Sequence, residues 1–274
     1  MPKKEWFREW FNSSFYHKLY FERDEQEAKA FIKKLIGLLH PLPASRMLDV
    51  ACGRGRHSKI LASLGFEVKG IDISPDSVEY AKDSMPEATK EETPNPEFFE
   101  HDIRLPFWGN YFDYAFNFFT SFGYFKTKRE HDNALRTISR SLKPGGILVI
   151  DYLNMHYAED HLLHNEEKKV NDTTFSILRW QDEKYFYKKI SITDASLAQP
   201  LSFTEEVAKF SLEDFTEMLA FQGMQVKEVF GNYQLQKYDI IKTPRLIIIS
   251  SRLPVNPSDK EKRLYSDGRK TDAL

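Results

Sequence analysis

Arg46-Met-Leu-Asp-Val-Ala-Cys-Gly-Arg-Gly-Arg-His-Ser58, followed by Gly70-Ile-Asp-Ile-Ser74, reads as strand, glycine turn, helix, strand and acidic tip. Met47 to Ala51 is a short apolar run of the kind that forms a buried strand. Gly53 and Gly55 supply a turn that tolerates positive φ and lets backbone approach a ligand closely. From Arg56 to Leu64 the pattern is helical, with Ile60, Leu61 and Leu64 on one face, so free N–H groups and the positive dipole end face whatever lies over the turn. After a turn at Gly65, Phe66 to Ile71 forms a second strand ending at Asp72. A carboxylate there can accept hydrogen bonds from both ribose hydroxyls of a nucleoside. Taken alone, Asp72 also suits an acid ahead of the helix start Ser74-Pro75.

Three ligands could use that frame. A phosphate loop requires Gly-Lys-Ser/Thr after the turn, which is missing. A dinucleotide site requires a third glycine, where Ser58 stands. What remains is acid-x-small-x-Gly-x-Gly with Asp49 before the turn. An acid there suits the ammonium of the amino-acid end of S-adenosyl-L-methionine (SAM) and would repel a pyrophosphate.

At this point the chain resembles the class I SAM-dependent methyltransferases, and the likeness continues in order. His101-Asp102-Ile103 follows a third strand, where the family's acid meets the adenine amino group. Phe112-Asp-Tyr-Ala-Phe-Asn-Phe118 resembles the fourth strand, whose end lies beside the methyl sulfonium. Leu142-Lys-Pro-Gly-Gly-Ile-Leu-Val-Ile-Asp151 resembles the helix end, glycine turn and fifth strand. The resemblance covers Arg46 to Asp151 and, more loosely, Ser211 to Leu253. Ala51 replaces a glycine found in many members and should narrow the turn slightly. The resemblance implies SAM as cofactor, S-adenosyl-L-homocysteine as product, no metal, and cofactor contacts from Asp49, Ala51, Gly53, Gly55, His57, Asp72, Ile73, Asp102, Ile103, Asn117 and Phe118.

The expected fold is α/β: a doubly wound, mostly parallel seven-stranded sheet of Rossmann-like type with an antiparallel β-rich lid insertion. Glu25 to Leu39 is an amphipathic helix, Pro75 to Ser84 a crossover helix, and Lys126 to Leu142 a helix stopped by Pro144-Gly-Gly146. Met85 to Pro96 reads as a polar loop. Thr173–Trp180, Lys184–Thr193 and Leu201–Phe210 carry β-branched and aromatic residues in partial alternation, so 152–210 interrupts the βα pattern with antiparallel strands. The expected organisation is a helical cover over 1–45, a SAM-binding core over 46–151 and 211–253, a substrate lid over 152–210, and a disordered tail over 254–274.

The 274 residues are 41% hydrophobic, enough for one substantial core, and the net charge of -2 lacks the basic footprint of a nucleic-acid domain. A lone Cys52 allows no internal disulfide and fits a reducing compartment. The charged stretch Met1 to Trp10 lacks the apolar core of a signal peptide or membrane span, so a cytoplasmic protein without membrane contact is expected, as monomer or homodimer.

The aromatic stretch Trp6 to Phe21 packs a helix onto the domain or places Tyr16 or Tyr20 over the cofactor, where an aromatic face attracts a sulfonium. Arg23 is a candidate fork for the cofactor carboxylate. Asn117-Phe-Phe-Thr120 lacks the two prolines of amino-group nucleic-acid methyltransferases, and Cys52 lies in the cofactor turn rather than at an acceptor, so nucleic-acid methylation is disfavoured. Phe119, Phe122 and Tyr124 are candidates for the acceptor pocket, with Tyr152, Asn154 and His156 at its rim. The reading is transfer to nitrogen or oxygen of a small-molecule acceptor by in-line displacement. The alternatives are an RNA or protein modifier docking through Lys126–Arg129, Arg136–Lys143 and Lys260–Arg269, or a non-catalytic SAM-binding protein.

Overall fold

The computed structural model describes residues 5–20, 25–85 and 94–254. Arg23, the Met85–Pro96 loop beyond its ends, and the tail from 255 onward, with Lys260–Arg269, lie outside the described residues.

Seven strands form one sheet: β1 (Arg46–Val50), β2 (Glu67–Asp72), β3 (Glu97–Glu100), β4 (Phe112–Asn117), β5 (Leu142–Leu153), β10 (Met224–Phe230) and β11 (Arg245–Arg252). Their order is β10-β11-β5-β4-β1-β2-β3, with β11 antiparallel to both neighbours and the other pairs parallel. The strand order reverses at β1, which pairs β2 on one side and β4 on the other, and that switch point opens a crevice beyond the strand ends. Met47, Leu48 and Val50 are fully buried, as a central strand covered on both faces requires.

Helices α3 (Glu25–Leu39) and α4 (Arg56–Ser63) pack on one face, where Phe31, Ile32 and Leu35 meet Met47, Leu61 and Val68. The opposite face carries α5 (Pro75–Asp83), α6 (Lys128–Ser141) and α8 (Leu212–Phe221); the main cluster there holds Ala134, Leu135 and Ile138 against Leu48, Val50 and Leu148, with Phe215 and Leu219 beside them. The helix expected from Lys126 begins instead at Lys128, because Thr127 and Glu130 form a capping box.

A second, four-stranded antiparallel sheet comprises β6 (Asn165–Val170), β7 (Thr173–Gln181), β8 (Tyr185–Thr193) and β9 (Leu201–Ala208), with a short α7 (Met155–Asp160) leading into it. The strand β6 is not expected from the sequence: Asn165-Glu-Glu-Lys-Lys-Val170 has an unbroken run of charges from Glu166 to Lys169 and forms the sheet edge, where charge discourages further pairing. The inner face of this sheet, Phe175, Ile177, Ile190 and Ile192, shares a core with Trp10 of α1 (Trp6–Phe11) and Leu19 of α2 (Ser14–Leu19). The packing therefore divides the first 45 residues. Helix α2 packs with the inserted sheet and α3 with the nucleotide sheet, while α1 bridges the two, with Trp10 in the core of the inserted sheet and Phe7 in the main cluster of the nucleotide sheet. Among the described residues no helix is long and apolar enough to cross a membrane.

Candidate functional site

The turn after β1 bends through positive φ at Ala51 (58°), Gly53 (53°) and Gly55 (75°). Gly55 is the N-cap of α4, and a Cβ there would stand 2.5 Å from the Phe98 ring, so glycine lets the turn press against β3. At Gly53 a Cβ would meet nothing within 4 Å. The backbone there faces open space, as a cradle for a ligand must.

Asp72, only 8% exposed, accepts hydrogen bonds from the Gly53 N–H (2.7 Å) and the Ser74 N–H (2.8 Å), so the acid at the end of β2 is locked to the glycine turn. Burial raises its pKa, opposed by hydrogen bonds from Ser74, Gly53 and Ile73. Asp49 sits behind the turn, 1% exposed, and accepts the Ser58 hydroxyl at 2.6 Å; burial pushes its carboxyl up to about 7. Ser58, which replaces the third glycine of a dinucleotide fingerprint, is thus the partner of Asp49. The Asp49 and Gly55 side positions do not border the cavity described next.

A cavity of about 640 Å³ lies over the turn, within the usual range for small-molecule sites. Its floor includes Ala51, Gly53, His57, Asp72 and Ile73, and one end carries His101, Asp102 and Ile103. The Asp102 carboxylate is already engaged: Arg8 donates to it at 2.8 Å and Arg104 at 2.7 Å. Burial pushes its pKa up, but the hydrogen bonds and charge of Arg104 outweigh that and hold it low. At the β4 side, His57 packs against Phe118 and stacks on Phe119 (centroids 5.1 Å, 25°), with the Arg56 guanidinium 4.9 Å from the Phe119 centroid. Asn117 is 1% exposed and stands behind that wall, its amide donating to Val50 O at 3.1 Å while Oδ1 has no partner among the described residues.

Tyr16 and Tyr20 border the cavity from above, joined by Phe119, Phe122 and Tyr124. Three expected rim residues are elsewhere. Tyr152 is fully buried, its hydroxyl donating to Ala208 O at 2.5 Å, because the side chain turns into the core beside Gly123. Asn154 donates to the carbonyls of Asp239, Ile240 and Thr243 and so staples that loop. His156 is on α7, 3.9 Å from Glu159 and away from the cavity lining. Tyr152 lies within the fifth strand, which runs on to Leu153 and carries Asn154 and His156 past the cavity.

The structure adds Phe7, Phe11 and Glu205 to the lining. The Glu205 carboxylate, on β9, accepts from Trp10 Nε1 (2.7 Å) and the Tyr20 hydroxyl (3.0 Å), with Lys188 Nζ 4.0 Å away. Nothing in Glu205-Glu206 marks which acid turns inward. Of the basic stretches, Lys128 pairs with Asp132 and Lys143 with Asp113.

A methyltransferase-domain family model matches residues 42–223. The putative methyltransferase YqeM of Bacillus subtilis is 29% identical over 203 residues, covering 69% of this chain and 76% of that protein. The dTDP-3-amino-3,4,6-trideoxy-alpha-D-glucopyranose N,N-dimethyltransferase of Streptomyces venezuelae is 32% identical over 108 residues, 39% of this chain and 42% of that protein. Among solved structures, an S-adenosylmethionine-dependent methyltransferase from Clostridium acetobutylicum superposes with a TM-score of 0.72 at 16% identity, over 88% of this chain and 97% of that one, a likeness of fold.

Proposed function

The chain belongs to the methyltransferase-domain family, and from that premise we propose that it transfers the methyl group of SAM to nitrogen or oxygen of a small-molecule acceptor, with an amine as the favoured nucleophile. The donor set suits the cofactor: an acid locked at the ribose position, open space over Gly53, and a cavity walled by aromatics. Asp72 would hold the ribose hydroxyls, and the backbone at Ala51 and Gly53 would cradle the amino-acid end. Tyr16, Tyr20 and Phe118 would wall the sulfonium, and His101 to Ile103 the base. When bound, SAM supplies a methyl group already activated by the sulfonium charge.

The single observation that carries the amine reading is Glu205. An amine gains positive charge as it accepts a methyl group, and a carboxylate beside it stabilises that developing charge. A hydroxyl acceptor needs a base instead. His17, the histidine on the cover side of the lining, is held by burial and by Arg54 at a pKa of about 4, a weak base. Positioning and exclusion of water by the roof would supply much of the barrier reduction, up to ~7–11 kcal/mol. The streptomycete relative, an N,N-dimethyltransferase by name, supports the amine reading.

The test is direct. SAM and S-adenosyl-L-homocysteine should raise the melting temperature, and NAD and ATP should not. Incubation with methyl-labelled SAM and a metabolite extract should then label amines. Stabilisation by NAD alone would overturn the cofactor assignment, and label confined to hydroxyl groups would overturn the amine assignment.

A further inference from the structure

Immediately after β4, Phe119 and Thr120 adopt φ of 56° and 58° in succession, a left-handed conformation that side-chain-bearing residues rarely take, least of all aromatic ones. Such a backbone persists only when its surroundings over-determine it, and it concentrates at functional sites.

The surroundings here are specific. Asp151, on β5 and fully buried, accepts the Phe119 N–H (2.8 Å) and the Tyr233 hydroxyl (3.1 Å) on one oxygen. Its other oxygen takes Arg245 Nε (2.8 Å) and Nη2 (2.6 Å). The Asp151 carbonyl accepts the Thr120 N–H at 2.9 Å, and Arg245 Nη2 donates to Thr120 Oγ1 at 3.0 Å. The Tyr233 ring also packs against Phe119, with centroids 5.3 Å apart. Every polar group of the strained turn named here therefore ends on Asp151 or its partner. None of Asp151, Tyr233 and Arg245 borders the cavity, whereas Phe119 does.

We propose that Asp151, Arg245 and Tyr233 are positioning residues that clamp the strained turn and hold the Phe119 ring as the wall for the amino-acid end of the cofactor. This rests on the SAM reading above. The end of the cavity follows from the neighbours of Phe119: it stacks on His57 and lies under Arg56, both at the start of α4, whereas Asp72 and Asp102 serve ribose and base. With the clamp intact the ring is presented in one orientation, and binding does not have to order it.

The experiment uses the full chain and two probes, S-adenosyl-L-homocysteine and 5′-methylthioadenosine, which lacks the amino-acid portion. Tyr233→Phe retains the ring packing and leaves the Asp151–Arg245 pair intact, so it avoids an orphaned buried charge. By calorimetry it should weaken S-adenosyl-L-homocysteine about threefold to tenfold, since hydrogen bonds to a charged group are the stronger kind, and leave methylthioadenosine within about twofold. Phe119→Ala should give the same split, and adding Tyr233→Phe to it should cost nothing more, because the clamp acts through that ring. Equal losses on both probes, no loss on either, or additive losses in the double variant would overturn the proposal. If neither probe binds the parent protein, it is the SAM reading that fails.

Discussion

The floor and the roof of one cavity are built in opposite ways. In the floor, Gly53 and Asp72 are joined across 19 residues of chain by a 2.7 Å hydrogen bond. In the roof, Trp10 and Glu205 are joined at the same distance across 195 residues. A local unit of strand, turn, helix and strand specifies the floor by its own periodicity and glycines. The roof exists only once α1 and α2 meet the inserted sheet. A family can therefore keep one floor and exchange roofs, and on the function proposed above cofactor recognition falls to the first and acceptor choice to the second.

The largest effect should come from breaking the roof at its centre. Trp10 is fully buried and packs against Phe203 at 4.8 Å, and its indole N–H holds Glu205. Trp10→Ala should cost about 3–5 kcal/mol, by the usual cost of emptying a core aromatic site. Denaturant unfolding measures it. Protein still folded should bind S-adenosyl-L-homocysteine through the floor while transferring methyl groups poorly; loss of binding without loss of stability would mean that roof and floor are one unit.

Breaking the floor should cost less stability and more affinity. Asp72→Ala should weaken SAM at least roughly tenfold, since each hydrogen bond to a charged acceptor contributes about 1.5–3 kcal/mol. Because Asp72 also receives the Gly53 and Ser74 N–H groups, some stability should go with it. Unchanged affinity by calorimetry would reduce Asp72 to an acid ahead of a helix. Glu205→Gln is the sharper cut on the roof side. It preserves an acceptor for Trp10 and Tyr20 but removes the charge, so kcat should fall about tenfold with S-adenosyl-L-homocysteine affinity unchanged. An equal kcat for parent and variant on the labelled amine would remove Glu205 from acceptor chemistry.

The same contrast explains what could be read from the chain. The sheet, its central strands, α3, α4 and the turn through Gly55 are periodic and local, and their boundaries match expectation within a few residues. Asp49 before the glycine turn and Asp102 after the third strand are legible as acids, but their partners are not: Ser58 and Arg8 turn them inward or occupy them. On the roof side, β6 is hidden by its edge charges. Tyr152, Asn154 and His156 are near the end of β5 in sequence, whereas their side chains are directed by Ala208, the 239–243 loop and α7. The left-handed pair Phe119-Thr120 carries no glycine to announce it. It depends on Asp151, Tyr233 and Arg245, partners 32 to 125 residues away along the chain.

The smallest expected effect tests the seam between the two. His17, on α2, faces Ser77 of α5 at 3.4 Å, with Arg54 from the glycine turn and Asp76 beside it. Burial, then the Arg54 charge, lower its pKa from 6.5 to about 4, with Asp76 opposing. A histidine whose folded pKa lies below its unfolded value leaves stability intact above about pH 6.5. As pH falls from there through 4, the unfolded chain binds a proton that the folded one refuses, and stability is lost. His17→Gln should therefore melt with a shallower decline than the parent between pH 6.5 and 4, and alike above pH 7. Asp49 titrates in the opposite sense across the same window, since its raised pKa lets stability recover as pH falls. The difference between variant and parent cancels that contribution and isolates His17. The effect is small because the ring is only partly buried and water still screens it. Parallel melting curves across that window would mean that the seam admits water freely, and that roof and floor touch there without sealing.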